Sequence, residues 1–287
     1  MDHTTTADDA RHAYAFPETT AVAAPEAPLG GAAMNPEPAP DEVLREQFAS
    51  VGLALRREGL AVTVTMAVFT AIVLFNQVGH EQARIPLDPK MGVAAALMAL
   101  LIPMAVWKGE GPEQRGYHHS MPVDQGDHAV MRTGAGLGWM LAGVAAFFAW
   151  IGLLSVATGG TIDAAEPWQW AAPFAGATVL YLFGSALTLV TSHPWRWIGG
   201  SAVAFFFLTA FRAVDALRPL VDAIDSLLTG RYGLFTLLTG LVRDPNAYMS
   251  PGPWMIPDLG AWLTSAGIWL VAAVGAFLLA AYRQPER

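Results

Sequence analysis

Cysteine is absent from this 287-residue sequence, lysine occurs only at Lys90 and Lys108, and charged residues make up 14% of the chain. The lack of cysteine excludes disulfides, thiolate zinc sites and a cysteine nucleophile. An average soluble domain is about a quarter charged, so the low charge, together with 54% hydrophobic residues, indicates a chain that lies in lipid. The net charge of -8 argues against nucleic-acid binding, which requires clustered basic residues.

A phosphate-binding P-loop is also missing, because its lysine must follow a glycine-rich turn. Lys90 follows Pro89, and Lys108 follows Trp107. The sequence therefore predicts no ATP-binding site in this chain, no enzymatic activity of its own and no cofactor.

The N-terminal part of the chain divides into two segments of different composition. Residues 1–40 are rich in Ala, Pro, Thr and acidic side chains, too poor in periodic apolar residues to form a core, and predict a disordered cytoplasmic leader. Residues 41–58 place Leu44, Phe48 and Val51 on one helical face. This pattern predicts an amphipathic helix that lies in the membrane interface or packs on neighbouring protein. Residues 59–287 are predicted to form the transmembrane domain.

Six apolar runs are long enough to cross the hydrocarbon core of a membrane, which takes about 20 helical residues. They are Leu60–Val78, Met91–Trp107, Gly134–Ala157, Ala171–Thr191, Ile198–Leu217 and Leu259–Tyr282. Tryptophans lie near several run ends, where amphipathic rings favour the headgroup layer. The predicted fold class is all-α, a polytopic integral membrane protein with six transmembrane helices.

The stretch Leu220–Val242 is apolar but is not predicted to span the membrane. Asp222, Asp225 and Arg231 would be costly at the centre of a bilayer. Gly230 also divides the stretch into two pieces that are each too short to cross. We predict a pair of half-buried or re-entrant helices between spans five and six.

Lysine and arginine predict the orientation, because short cytoplasmic loops carry an excess of them. If the N-terminus is inside, the short inner segments hold eight such residues and the short outer segments hold two. The inner set is Arg56, Arg57, Lys108, Arg115, Arg132, Arg196, Arg283 and Arg287, and the outer set is Arg84 and Lys90. We therefore predict that both termini are cytoplasmic and that the chain lies in the cell inner (cytoplasmic) membrane.

The predicted cytoplasmic loop between spans two and three contains "GYHHSMPVDQGDH", Gly116 to His128, with three of the seven histidines. Histidine beside carboxylate suits a divalent metal ion, but no recognised ligand spacing is present. The loop could also dock a partner protein or be merely solvated. We predict a docking or coupling loop without a bound metal.

The order of these elements resembles the permease subunit of type-2 ABC transporters. The shared features are the amphipathic N-terminal helix, the six spans, the cytoplasmic loop after span two and the paired half-helices before span six. Within the loop, "HHSMPVDQGDHAVMRTGAG" is similar to a Pro-Val-containing segment of that family, through Met121, Pro122, Val123 and Arg132. The chain departs from the family at Asp124 and Asp127, where basic or hydroxyl residues are usual.

The resemblance implies a dimer in the lipid membrane, either a homodimer or a pair with a related permease subunit. It also implies that each loop contacts a separate soluble ABC ATPase subunit, whose ATP hydrolysis drives movement of a substrate. The predicted partner-coupling residues are Tyr117, His118, His119, Met121, Pro122, Val123 and Asp124. Tyr117 and Met121 are the expected anchors, because aromatic residues and methionine are enriched in the cores of interfaces.

Two other functions stay open from the residues alone. The acidic loop and leader are compatible with a membrane scaffold or assembly subunit that has the same fold but transports nothing. The His/Asp loop is compatible with a metal-dependent membrane enzyme. A separate candidate is the pair Arg212 and Asp215, whose spacing allows an intramembrane or outer-end ion pair, although both side chains could instead snorkel to the headgroups.

Overall fold

A computed structural model describes residues 40–77, 84–108, 125–162, 166–211, 214–243 and 254–283, and most of these residues are helical. The helices are α1 (Pro40–Gln77), α2 (Gly92–Ala99), α3 (Ile102–Val106), α4 (Gln125–Ala157), α5 (Ala172–Val190), α6 (Pro194–Phe211), α7 (Arg218–Thr229), α8 (Leu234–Thr239) and α9 (Leu259–Tyr282). Short 3₁₀ helices, Pro89–Met91 and Pro167–Ala171, precede α2 and α5. Strands β1 (Val242–Arg243) and β2 (Trp254–Met255) pair antiparallel between α8 and α9.

Among the described residues, four helical stretches are long and apolar enough to cross a membrane. They are Pro89–Val106, Gly126–Ala157, Pro167–Val190 and Leu259–Tyr282. They coincide with predicted spans two, three, four and six. In α1 the apolar stretch Glu58–Ile72 is shorter than a span requires, and α6 carries Arg196 in its first turn. The prediction of a helical membrane protein is confirmed to this extent.

Helix α5 lies at the centre of the packing. In its apolar stretch 67% of the residues are buried, against 22–33% in the other three. Outer helices instead expose large apolar side chains, such as Leu153 (71% exposed), Val156 (82%) and Val271 (74%). Apolar side chains at this exposure are expected where lipid rather than water surrounds a helix.

The predicted amphipathic helix and span one are a single helix, α1, of 38 residues. The only helix-weakening residue at their junction is Gly59, and one glycine costs only about 1 kcal/mol in a helix interior. Part of the apolar face of the first half packs on protein, while Leu44 and Phe48 stay 40% and 38% exposed. Val51 is fully buried, and Trp139 Nε1 on α4 donates to Phe48 O at 3.0 Å.

Predicted span two is interrupted, since α2 ends at Ala99 and α3 begins at Ile102. Pro103 explains the break, because proline has no N–H to donate to the carbonyl four residues earlier and its ring clashes with that carbonyl. The carbonyl of Leu100 is turned toward Gly184 on α5, where an added Cβ would lie 2.5 Å from this oxygen. The predicted span over Met91–Trp107 is therefore present as the membrane-length stretch Pro89–Val106, but it consists of two helices rather than one.

Helix α4 begins nine residues before predicted span three, at Gln125 rather than Gly134. Asp127 and His128, which were predicted to lie in the loop, belong to its first turns. Apolar periodicity identifies only the part of a helix that contacts lipid or the protein core. It therefore does not predict the polar first turns of α4. The carboxylate of Asp127 is also favoured at a helix N-terminus.

The stretch Leu220–Val242 forms α7 and α8, which are separated at Gly230 to Gly233. Helix α8 is buried among α2, α5 and α9, with Thr236 and Leu237 fully buried. Side chains from neighbouring elements donate to the backbone of this segment, namely Ser265 Oγ to Gly233 O (3.2 Å), Trp262 Nε1 to Leu237 O (3.4 Å) and Gln169 Nε2 to Gly240 O (3.2 Å).

We expect Gly184→Ala to lower the free energy of unfolding by about 1–3 kcal/mol, because a backbone oxygen cannot rotate away from the added methyl group. The measurement is thermal unfolding of the purified chain in detergent, followed by circular dichroism. Gly143→Ala on α4 is the matched control, since an added Cβ there meets no atom within 4 Å. Equal stability of the two variants would contradict the close contact between α5 and the α2–α3 break.

Candidate functional site

The candidate site lies where α3 ends and α4 begins, at the base of residues 109–124; we name this the loop end of the bundle. The opposite end, with β1, β2 and the start of α9, is the hairpin end. All the predicted partner-coupling residues, which are Tyr117, His118, His119, Met121, Pro122, Val123 and Asp124, lie outside the described residues. The described structure therefore gives the base of the loop and not the loop itself.

A buried arginine joins the two helices at this base. Arg132 is 7% exposed, and its Nε and Nη2 donate to the carbonyl of Val106 at 3.2 and 2.8 Å. Val106 is the last residue of α3, so its carbonyl has no donor from its own helix. The guanidinium also lies 5.5 Å from the ring centroid of Trp107, a cation–π contact. Arg132 thus caps α3 and holds the start of α4 against it.

Helix α1 joins the loop end mainly through apolar burial. Val51 packs in the same cluster as Val106 and Trp107. Lys108 Nζ also lies 3.4 Å from Glu58 Oε1, but both side chains are exposed. An exposed ion pair contributes at most about 1 kcal/mol, so this pair orients the helices more than it stabilises them.

The end of α9 completes the loop end. The hydroxyl of Tyr282 donates to Asp127 Oδ1 at 3.2 Å. Its ring lies against Gly126 so closely that any Cβ there would collide with it. Four helices, α1, α3, α4 and α9, therefore meet where the segment 109–124 enters and leaves the bundle.

The polar side chains of the loop end connect neighbouring helices to one another. Its described polar groups contact backbone, ring and side-chain groups of neighbouring helices. Within the described ranges, no group of three His, Cys, Asp or Glu side chains is placed to hold a metal ion. Because His118 and His119 lie outside those ranges, the absence of a metal site there stays a prediction.

The predicted pair Arg212–Asp215 is not described, because Arg212 lies outside the described residues and Asp215 is exposed in the turn before α7. A different pair forms at the hairpin end, where Arg231 Nη2 lies 2.9 Å from Asp258 Oδ2. Asp258 also caps α9 by accepting from Ala261 N at 2.7 Å. The hydrogen bond from Ala261 N holds the pKa of Asp258 below its ordinary value of 3.8, and the positive charge of Arg231 lowers this pKa further.

The structural role of Arg132 was not predicted from the sequence. Arg132 was considered only as a cation for orientation and as a member of the Pro-Val-containing segment. A charge two residues before an apolar run is a functional candidate in its own right. Trp107 was expected in the headgroup layer, whereas it is buried beneath Arg132.

No family model, curated protein or solved structure matches this chain.

We expect Arg132→Met to separate the ends of α3 and α4 and to lower the free energy of unfolding by about 2 kcal/mol, since it removes hydrogen bonds from a charged donor. Arg132→Lys should not restore the contact, because lysine lacks the planar fork. The measurement is the distance distribution between spin labels at Lys108→Cys and Val130→Cys, which the cysteine-free chain permits without background.

Arg196→Met is the matched control, because Arg196 is exposed at the start of α6. This variant should keep the narrow distribution that we expect for the otherwise unchanged chain. If Arg132→Met kept it as well, the Arg132 contact would not hold the loop end together.

Asp258→Asn tests the hairpin end by its pH dependence. Asparagine caps helices about as well as aspartate, so the variant isolates the charge. Because the folded-state pKa is lowered, the carboxylate stabilises the fold above pH 3.8, and this contribution is lost as the pH falls through the folded-state pKa. Asp258→Asn should have a lower melting temperature than wild type at neutral pH, and the two melting temperatures should converge below the folded-state pKa. The control Asp215→Asn, at an exposed position, should not show this pH-dependent difference. A constant gap at every pH would exclude the charge as its cause.

Proposed function

We propose that the chain is the membrane-spanning permease subunit of a type-2 ABC transporter, moving a substrate with the energy of ATP hydrolysis on a separate soluble subunit. The order of helices carries the proposal. The first half of α1 is an amphipathic segment, an interrupted α2–α3 precedes the segment 109–124, and a pair of short helices precedes α9. This is the order on which the family resemblance depends.

Contacts at the two ends support six crossings. Lys108 meets Glu58 at the loop end, whereas Ile85 N donates to Thr158 Oγ1 (3.1 Å) at the hairpin end. These contacts support crossings along α1, α2–α3 and α4. The chain starts α5 at the hairpin end and begins α9 at the same end, so in the proposed arrangement α6 makes the return crossing. Six crossings leave both termini on one side.

The pair α7–α8 has the features of a re-entrant hairpin. Trp269 Nε1 donates to Tyr232 O at 2.9 Å, and Trp269 follows Leu259 by ten residues, about 15 Å along the helix. The turn between α7 and α8 thus reaches into the bundle, while Gly240 lies back at the start of α5. The long side chain of Arg231 extends from this turn to Asp258 at the helix start.

The loop end supplies a coupling mechanism for this function. Helix α3 has only five residues and is separated from α2 by the Pro103 break. Movement imposed on the segment 109–124 therefore reaches α3 and α4 together through Arg132, and the break lets α3 turn without displacing all of α2. Tyr282 passes the same movement to α9.

The deciding experiment is copurification of the chain with a co-expressed soluble ABC ATPase. Tyr117→Ala and Met121→Ala should each weaken the complex more than tenfold, since truncating a buried anchor costs on the order of 2 kcal/mol or more. Asp124→Ala should mainly change the salt dependence of binding. All three variants should insert into the membrane normally.

Full partner binding by both anchor variants would remove Tyr117 and Met121 from the interface. Failure of the unchanged chain to bind any soluble ATPase would contradict the permease proposal. Stable binding that leaves ATP hydrolysis unaltered would favour the scaffold function.

The proposed orientation predicts which sites a membrane-impermeant thiol reagent reaches in intact cells. Ile162→Cys and Asp215→Cys should react from outside, because both positions are exposed near the hairpin end. Lys108→Cys and Arg283→Cys should react only after permeabilisation. The absence of native cysteine makes each label specific. The reverse pattern would place the segment 109–124 outside, beyond the reach of a cytoplasmic ATPase.

A further inference from the structure

Three hydroxyl side chains lie buried between α4 and α5, namely Thr133 (2% exposed), Tyr181 (0%) and Ser185 (0%). The Tyr181 hydroxyl donates to Thr133 O at 3.1 Å. Neither Thr133 Oγ1 nor Ser185 Oγ has a hydrogen-bond partner within the described protein. Ser185 Oγ lies close to the Tyr181 hydroxyl, but the two oxygens do not meet the geometry of a hydrogen bond.

Two such hydroxyls are unusual, because buried polar atoms nearly always find a partner in protein or ordered water. Serine and threonine in lipid-embedded helices often satisfy this need by donating to a carbonyl of their own helix. Thr178 does so to Phe174 O at 2.9 Å. Thr133 and Ser185 do not, although both flank the same tyrosine.

The backbone adds acceptors to the same region. Pro103 supplies no N–H for the carbonyl of Ala99. The Leu100 carbonyl is turned toward Gly184, the residue before Ser185. A break in a membrane helix is tolerated where neighbouring hydroxyls or ordered water serve the freed backbone groups.

We propose that a single ordered water molecule binds between Thr133, Tyr181 and Ser185. Buried waters make about three hydrogen bonds to otherwise unsatisfied groups, and this cluster offers three hydroxyls. All three are neutral. The cationic Arg132 is adjacent to Thr133 in sequence and acts electrostatically on Tyr181. A metal cation would be repelled by it, whereas a neutral water both donates and accepts.

Thr133→Val tests the proposal through the sign of its effect, because valine keeps the shape of threonine. If water binds, the variant loses a hydrogen bond, and the melting temperature should fall by about 2–4 °C. If none binds, removing an unsatisfied buried hydroxyl should raise it. Thr133→Ser, which retains the hydroxyl, should melt above Thr133→Val.

Ser185→Ala should lower the melting temperature as well. In the double variant the loss should be smaller than the sum of the single losses, since both residues bind the same water. Thr178→Val is the matched control, because the hydroxyl of Thr178 already donates to a protein carbonyl. The losses in melting temperature of Thr178→Val and Thr133→Val should add in the double variant. Additive losses for Thr133 and Ser185 would mean that they share no ligand.

A high-resolution structure of the purified protein provides the direct readout. Density for one water is expected in the unchanged chain and should be absent from the double variant. Replacing sodium by choline should leave the melting temperature unchanged. A rise with Thr133→Val, or a melting temperature that depends on sodium, would overturn the proposal, the latter in favour of a bound cation.

Discussion

The loop end depends on one buried charge. A guanidinium in a low-dielectric interior is costly unless its donors are satisfied. Arg132 meets this constraint with the Val106 carbonyl and the Trp107 ring. The same contacts fix where α3 ends, where α4 passes it and why Trp107 is buried. Val51 of α1 and Phe277 of α9 pack in the apolar cluster that includes Val106 and Trp107, so the position of four helices follows from the need to shelter this side chain.

Elsewhere the helices are joined by indole N–H groups. Apolar burial gives little net attraction between helices in lipid, so close packing and interhelical hydrogen bonds must hold them. Trp139 donates to Phe48 O, Trp150 to Thr70 Oγ1, Trp262 to Leu237 O and Trp269 to Tyr232 O. The sequence positions of the tryptophans, near the ends of apolar runs, predict that their rings lie at the membrane surface. These positions do not distinguish a ring in the headgroup layer from one whose N–H donates to a neighbouring helix.

The sequence predicted those elements whose signals are local. The bounds Leu259–Tyr282 match α9 at both ends, because a capping aspartate directly precedes the apolar run. The division at Gly230 was also readable from the chain. Pro103 carried a local signal for the break in span two that apolar run length obscured. The role of Arg132 could not be read in this way, because its contacts with the Val106 carbonyl and the Trp107 ring join residues 26 and 25 positions apart in the sequence.

The two ends of the bundle are connected through α9. At the loop end its Tyr282 contacts Asp127, and toward the hairpin end its Trp262, Ser265 and Trp269 hold the backbone around α8. A helix of 24 residues spans about 36 Å and transmits displacement along its axis with little compression. In the proposed permease, a motion delivered to residues 109–124 therefore reaches α8 by a continuous set of contacts. Coupling by this route requires α8 to have two positions. Its attachment to α9 consists of hydrogen bonds to backbone carbonyls rather than an unbroken helix, so a displacement of α9 acts on α8 through these bonds.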